Sequence, residues 1–154
     1  MAHVEKSIFI NVPMEEVFDF VVEPNNLPKY DFMAVEVKER SEGPVGIGTT
    51  FIEVVKMPGG IKTNSPGRVA EYDPPHKLVW EFRSAGMLLT IAYRFEREGS
   101  GTLVTGTADC IMPWGFLGKA LDKLFMARYL ARNTQRINAD LKALLESGQA
   151  GTNV

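Results

Sequence analysis

The chain has 154 residues, of which 45% are hydrophobic and 23% charged, and its formal net charge is −2. These values are typical of a single globular domain and exclude the basic surface that nucleic-acid binding needs. With one cysteine, Cys110, no signal-peptide pattern at the N-terminus and no long apolar run, the sequence excludes internal disulfides and spanning helices and predicts a cytoplasmic protein.

The N-terminal segment combines one strand with two short helices. Residues 3–12 alternate between apolar and polar side chains, which predicts a half-buried strand. Pro13 then begins a short amphipathic helix, and Pro24 ends it. The apolar stripe of that helix has the spacing i, i+3, i+4, i+7 and consists of Met14, Val17, Phe18 and Val21. Residues 25–30 predict a second, shorter helical turn.

From Phe32 onward the hydrophobic pattern repeats every second residue and predicts six further strands. Short turns separate them, at Gly43-Pro44, Pro58-Gly59-Gly60, Asp73-Pro74-Pro75-His76 and Gly99-Ser100-Gly101. The segment Asn64-Ser65-Pro66-Gly67 interrupts one strand and predicts an edge position or a bulge there. Short connections favour an antiparallel meander over a parallel sheet.

The last long segment, residues 114–146, predicts one helix. It is rich in strong helix formers. Its apolar stripe is centred on Leu130 and consists of Met126, Leu130, Thr134, Ile137, Leu141 and Leu144. The first half is apolar on more than one side, so we expect it to be covered on more than one side. Residues 1–146 are predicted to form a single domain, and residues 147–154 a flexible tail.

Four phrases of the sequence are similar to a known family. They are NVPMEEVFDFVVEPNNLPKYD, EGPVGIGTTF, VAEYDPPHKLVWEF and GTLVTGTADCIMP. In this order they resemble the polyketide cyclase/dehydrase-like branch of the START-like, or SRPBCC, superfamily. The resemblance implies an α+β helix-grip fold, in which a curved antiparallel sheet of about seven strands wraps around a long C-terminal helix. Tyr30 stands where many members carry a tryptophan.

The same resemblance implies a cavity between sheet and helix that binds a small hydrophobic or amphipathic molecule, such as a lipid, a quinone or a polyketide-like compound. Strand parity places Val35 and Leu78 on the inner face. The predicted ligand-binding residues are Phe51, Met57, Trp80, Phe82, Met87, Leu89, Tyr93, Cys110 and Met112 on the sheet, and Leu121, Phe125, Arg128 and Tyr129 on the helix. The alternative is that these side chains fill a dry core.

Three residues are candidates for acid–base or electrostatic chemistry. Glu53 shares strand parity with Phe51, so it either points inward with a raised pKa or lies in water if the parity shifts. Tyr93, like Trp80, has a polar group that either orients a ligand or binds neighbouring backbone. Arg128 either reaches the pocket mouth to bind an anion or belongs to a solvated charged face with Arg132 and Arg136.

The chain contains no HExxH, P-loop, GxGxxG or GxSxG motif, so the sequence predicts no metal or nucleotide cofactor. The leading hypothesis is a carrier or sensor without turnover. One alternative is a polyketide cyclase/dehydratase-like enzyme that uses the same cavity. Another is a protein-interaction module with an apolar patch near Trp114, Phe116 and Leu117. We expect a monomer or homodimer without nucleic-acid partners, and the predicted burial of the apolar stripe under the sheet argues against membrane contact.

Overall fold

The computed structural model describes residues 2–57, 59–84, 86–111 and 118–148, with side chains from residue 124 onward in the last segment. The elements in these ranges are β1 (Ala2–Ile10), α1 (Met14–Val22), a 3-10 turn (Pro24–Asn26), α2 (Leu27–Tyr30), β2 (Ala34–Lys38), β3 (Thr50–Lys56), β4 (Lys62–Asp73), β5 (Lys77–Ser84), β6 (Met87–Glu98), β7 (Gly101–Ile111) and α3 (Gly118–Glu146).

In the described part of the chain, the seven strands form one curved antiparallel sheet in the order β1-β7-β6-β5-β4-β3-β2. Consecutive strands from β2 to β7 are neighbours, and β1 closes the order by pairing with β7, from Ala2 opposite Cys110 to Ile10 opposite Thr102. Together with the long helix α3, this confirms the predicted α+β helix-grip fold.

Helix α1 forms where the sequence predicts it. Pro13 has an extended conformation at the N-cap, and Glu15 and Glu16 lie in the first turn, where the helix dipole favours negative charge. The apolar stripe is buried against the sheet, and the Phe18 ring packs edge-on against Phe95 at 5.4 Å between centroids. This contact packs α1 onto one end of the inner face.

Helix α3 lies mainly along the edge strand β1. The predicted stripe is confirmed in its second half, where Leu141 is 0% exposed. Lys142 Nζ donates to the Phe9 carbonyl at 2.6 Å, and the Asn11 amide donates to a Glu146 carboxylate oxygen at 2.9 Å. The helix therefore buries an apolar stripe and also satisfies backbone groups along the sheet edge, which blocks pairing with another strand.

The edge position or bulge predicted at residues 64–67 is a local edge: within the described ranges, residues 62–66 pair with β3 alone, because pairing with β5 begins at Gly67. Strand β4 runs without a break through Pro66 and lies between β3 and β5. Pro66 is tolerated because β5 pairs with β4 only from Gly67 onward, so the missing N–H is not needed on that side. The register irregularity of this strand lies at Val69 and Glu71 instead.

Two residues predicted on the inner face lie elsewhere. Val35 is exposed because a register shift between Ala34 and Glu36 places Ala34 and Val37 inward instead. Met57 is exposed because it follows the end of β3, so the alternation of that strand no longer directs its side chain. Leu78 is buried as predicted.

Candidate functional site

A carboxyl group lies inside the apolar interior, on strand β3. Glu53 is 7% exposed and is opposite Val37 on β2 and the buried Ser65 on β4. Burial raises the pKa of Glu53 to about 8, and the nearby negative charge of Asp31 acts in the same direction. Of the two alternatives for this residue, the inward one is correct, and burial favours the protonated form of its carboxyl group at neutral pH.

Asp31 follows the last residue of α2. One of its carboxylate oxygens accepts the Met33 amide at 2.9 Å, which fixes the chain where it turns into β2. Burial raises the pKa of Asp31, although hydrogen bonds from the Met33 and Ala34 amides oppose the shift. The site therefore holds two carboxyl groups, and the charge of Asp31 disfavours ionisation of Glu53.

Two tyrosines face these carboxyl groups. Tyr30, at the end of α2, is 2% exposed, and its hydroxyl has no hydrogen-bond partner in the described part of the chain. Burial keeps the pKa of Tyr30 well above its usual range, with smaller effects from Tyr93, Asp31 and Glu53. Burial, then Asp31 and Glu53, also raise the pKa of Tyr93 on β6. Both phenols are therefore neutral hydrogen-bond donors.

Trp80 occupies the centre of the sheet. It is 1% exposed, and its ring lies 6.0 Å from the ring of Tyr93 and 6.2 Å from that of Phe51, both edge-on. Among the described residues, its indole N–H finds no acceptor. The alternative in which this group binds neighbouring backbone is therefore not realised.

A further buried polar side chain, Asn138, lies on helix α3. We call the set of Tyr30, Asp31, Glu53, Trp80, Tyr93 and Asn138 the polar group. Asn138 is 2% exposed; its amide donates to the Lys6 carbonyl at 3.3 Å, while its side-chain oxygen has no partner in the described ranges. A Cβ placed on Gly106 would lie 3.4 Å from the Tyr93 ring and 3.6 Å from this oxygen. The absence of a side chain at Gly106 thus leaves Tyr93 and Asn138 close together.

Part of the inner face is incompletely covered. Met87, Leu89 and Ile91 on β6 are only half-buried although their parity is inward. Leu89 and Ile91 border both the main apolar cluster and a second cluster around Cys110 and Leu130. The half-buried side chains of β6 therefore lie where the two clusters meet.

The loop after α2 is attached to α3 across this region. Met33 Sδ lies 3.5 Å from the Tyr129 hydroxyl and 3.4 Å from the Asn133 amide nitrogen. The Arg136 guanidinium stacks over the Phe32 ring at 4.0 Å. These weak contacts connect α2 to the long helix at the side of the polar group.

The predicted ligand-binding residues have four different positions. Phe51, Trp80, Phe82, Tyr93 and Cys110 are buried on the inner face, Met87, Leu89 and Tyr129 are half-buried, Met57, Phe125 and Arg128 are exposed, and Met112 and Leu121 lie outside the described residues and side chains. Phe125 is 72% exposed because it lies about 140° around the helix from Leu130. Arg128 is exposed as well, and its place at a pocket mouth stays a prediction.

The expected cavity between sheet and helix stays a prediction. A cavity of about 300 Å³ lies on the outer face of the sheet, between Thr50, Pro66, Arg68 and Glu81. Residues 114, 116 and 117, where an apolar patch was predicted, and the tail from residue 149 lie outside the described residues.

Sequence reasoning missed several members of the polar group. Asn138 carries a detectable signal, because it borders the predicted apolar stripe of α3, four residues after Thr134 and three before Leu141. Tyr30 and Asp31 end a helix of a single turn, where no periodicity indicates which way a side chain points. Only the packing of α2 against the sheet makes them part of the site.

Within the described ranges, no cluster of three or more His, Cys, Asp or Glu side chains could hold a metal ion. None of the described helices is both long enough and apolar enough to cross a bilayer.

Solved structures with the same fold have distant sequences. The di-domain ARO/CYC StfQ from the steffimycin biosynthetic pathway has a TM-score of 0.75 at 14% identity over 97% of this chain, which spans 52% of that chain. TTHA0849 from Thermus thermophilus has a TM-score of 0.76 at 18% identity, covering 95% of this chain and 98% of that one. NE0264 from Nitrosomonas europaea has a TM-score of 0.68 at 20% identity, covering 97% of each chain. At these identities the likeness shows the fold alone.

A search of curated proteins found no match to this chain. The model of one protein family, described as polyketide cyclase / dehydrase and lipid transport, matches residues 1–146. The chain therefore belongs to this SRPBCC-type family.

Proposed function

We propose that the protein binds a small hydrophobic or amphipathic molecule between the inner face of the sheet and helix α3, as a carrier or sensor. One observation carries the proposal: the Tyr30 hydroxyl and the Trp80 indole N–H are fully buried without a partner among the described residues. Leaving such a group unpaired costs about 1–3 kcal/mol, so buried polar groups are normally hydrogen-bonded. A ligand oxygen would supply the missing acceptor.

The surroundings of these donors fit such a ligand. Aromatic rings flank the donors, and half-buried apolar side chains on β6 lie beside them. Pockets for small molecules are mostly apolar, with a few convergent polar groups. The family description includes both polyketide cyclases and lipid transport, which are functions with apolar ligands.

Binding is measurable through Trp80. The chain has two tryptophans, Trp80 and Trp114, so a Trp114→Phe variant reports on the site alone. We expect lipids, quinones or polyphenols to change its fluorescence and to appear as complexes in native mass spectrometry. The Trp80→Phe variant is the control for signals from elsewhere. The proposal is wrong if no compound of these classes binds.

A second candidate function is a cyclase or dehydratase. Glu53 supports it, because a buried carboxylic acid with a pKa near 8 can donate a proton to a leaving hydroxyl group at neutral pH. The likeness to StfQ, itself an ARO/CYC, is consistent with it. If the protein is such an enzyme, Glu53→Gln should abolish turnover of a poly-ketone substrate while leaving binding intact. Turnover that survives this substitution would remove Glu53 as the acid.

A further inference from the structure

The unpaired polar groups of the interior include hydrogen-bond donors and an acceptor, and their proportion restricts the chemistry of the ligand's polar end. The Tyr30 hydroxyl and the Trp80 indole N–H are unpaired donors, and the Asn138 side-chain oxygen is the unpaired acceptor among the described atoms. Glu53, which is 7% exposed, adds another donor while it is protonated. The interior therefore offers mainly donors.

These donors border one region. Tyr93, Asp31 and Glu53 each contribute to the raised pKa of Tyr30, so these four groups lie near one another. The Trp80 ring is in edge-on contact with Tyr93. An oxygen-bearing group that enters this region therefore meets donors carried by α2, β3 and β5.

No described cation accompanies them. The influences that raise the pKa of Glu53 are burial and Asp31, and no positive charge opposes them. On α3, Arg128 is exposed and Arg136 stacks over Phe32 at 4.0 Å and lies 3.8 Å from Asp140. Arg40 is bound to Glu23 at 2.8 Å. An anion entering the interior would meet two carboxyl groups and no counter-ion from the described side chains.

We propose that the polar end of the ligand is an uncharged oxygen acceptor, such as a ketone, quinone or ester carbonyl, and that the site discriminates against carboxylates. This inference rests on the proposed function. A carbonyl satisfies the donors without bringing charge into the interior. A carboxylate would lose its hydration beside Asp31 with no cation to compensate, which is a strong penalty in an apolar site.

The test uses a matched pair of compounds, a long-chain or aromatic methyl ester and its free acid, with the Trp114→Phe protein and Trp80 fluorescence. At neutral pH we expect the ester to bind at least about tenfold more tightly than the acid. The acid should gain affinity when the pH is lowered enough to protonate it. Equal or tighter binding of the carboxylate overturns this inference alone, whereas failure of both compounds, and of the wider ligand set, overturns the proposed function with it.

Two variants, Glu53→Gln and Tyr30→Phe, test the contribution of each donor to binding separately. Glu53→Gln cannot ionise, so its affinity for the ester should lose the fall that the parent shows as pH rises through about 8, each protein being compared with its own affinity at lower pH. Glu81→Gln, on the outer face, is the matched control and should keep that fall. A pH dependence that is unchanged in Glu53→Gln contradicts the role of Glu53.

Tyr30→Phe removes one donor without changing the shape of the site. We expect about three- to tenfold weaker binding of the ester, the usual effect of one lost hydrogen bond. Tyr72→Phe is the control, since Tyr72 packs against Phe18 at the other end of the interior. Equal affinity in Tyr30→Phe and its parent would exclude the Tyr30 hydroxyl as a ligand donor and overturn this part of the inference.

Discussion

The two ends of the inner face differ in what they bury. At the α1 end, the side chains of Val17, Phe18, Phe95, Val104 and Leu141 are apolar and almost completely buried. At the α2 end, Tyr30 and Trp80 are buried as deeply, but their hydroxyl and indole N–H have no hydrogen-bond partner in the described part of the chain, and Glu53, 7% exposed, brings a carboxyl group. The α1 end has the composition of a structural core, and the α2 end has groups that destabilise the empty protein. The difference indicates where stability and where binding reside.

The largest expected effect lies at the α1 end. Leu141→Ala should lower the free energy of unfolding by about 3–4 kcal/mol, because Leu141 is 0% exposed and its removal leaves a cavity. Leu124→Ala, on the same helix but 62% exposed, is the matched control and should change it by less than about 0.5 kcal/mol. Urea denaturation measures both. Similar values for the two variants would mean that α3 is not held by its buried stripe.

At the α2 end we expect the opposite effect, because Glu53→Gln should make the protein more stable at neutral pH. Between pH 4.5 and about 8 the folded protein keeps the Glu53 proton that the unfolded chain loses, so stability falls as pH rises through this window. At 1.36 kcal/mol per pKa unit, the loss at neutral pH is about 3 kcal/mol. We therefore expect Glu53→Gln to be more stable than the parent by about that amount near pH 7, and equally stable near pH 4.

Thermal unfolding across this pH range checks the prediction. Glu36→Gln, on the exposed side of β2, is the control and should follow the parent at every pH. A Glu53→Gln protein that is less stable than the parent at neutral pH would show that the folded state stabilises ionised Glu53.

Two substitutions, Gly67→Ala and Gly106→Ala, test the aromatic packing beside the polar group. A Cβ on Gly67 would lie 2.7 Å from Phe51 and 2.8 Å from Phe82, so Gly67→Ala should destabilise the protein by about 1–3 kcal/mol. At Gly106 the nearest atom would be 3.4 Å away, and Gly106→Ala should be nearly neutral. Equal effects in urea denaturation would show that the rings around Gly67 can move aside.

The smallest effect concerns the Tyr30 hydroxyl. Tyr30→Phe removes an unpaired polar group, so its stability should equal that of the parent or exceed it by up to about 1 kcal/mol. In contrast, Thr102→Val removes a hydroxyl that donates to the Val12 carbonyl at 2.7 Å and should destabilise by about 1 kcal/mol. Calorimetry resolves the two. A clear loss of stability in Tyr30→Phe would mean that its hydroxyl is satisfied in solution.

The sequence predicts the position of a site residue well where strand alternation alone decides on which face of the sheet its side chain lies. Phe51, Trp80, Phe82 and Tyr93 lie inside as their strand parity predicts, and Glu53 follows Phe51. Parity failed at Val35 because a register shift displaces the pattern, which a single sequence does not reveal. Helical spacing was informative in the second half of α3 and misleading in the first, where Phe125 is apolar but faces away from the sheet.

The sequence by itself determined the order of elements, the antiparallel sheet, the buried stripe around Leu141 and the family, because periodicity and turn chemistry act over neighbouring residues. Tertiary structure alone decided that Tyr30 and Asp31, at the end of α2, lie near Glu53 from β3, and that Asn138 from α3 lies beside Gly106, which the Tyr93 ring also borders. It also decided the protonation of Glu53, because a pKa depends on burial and on charges that the chain brings together only when it folds.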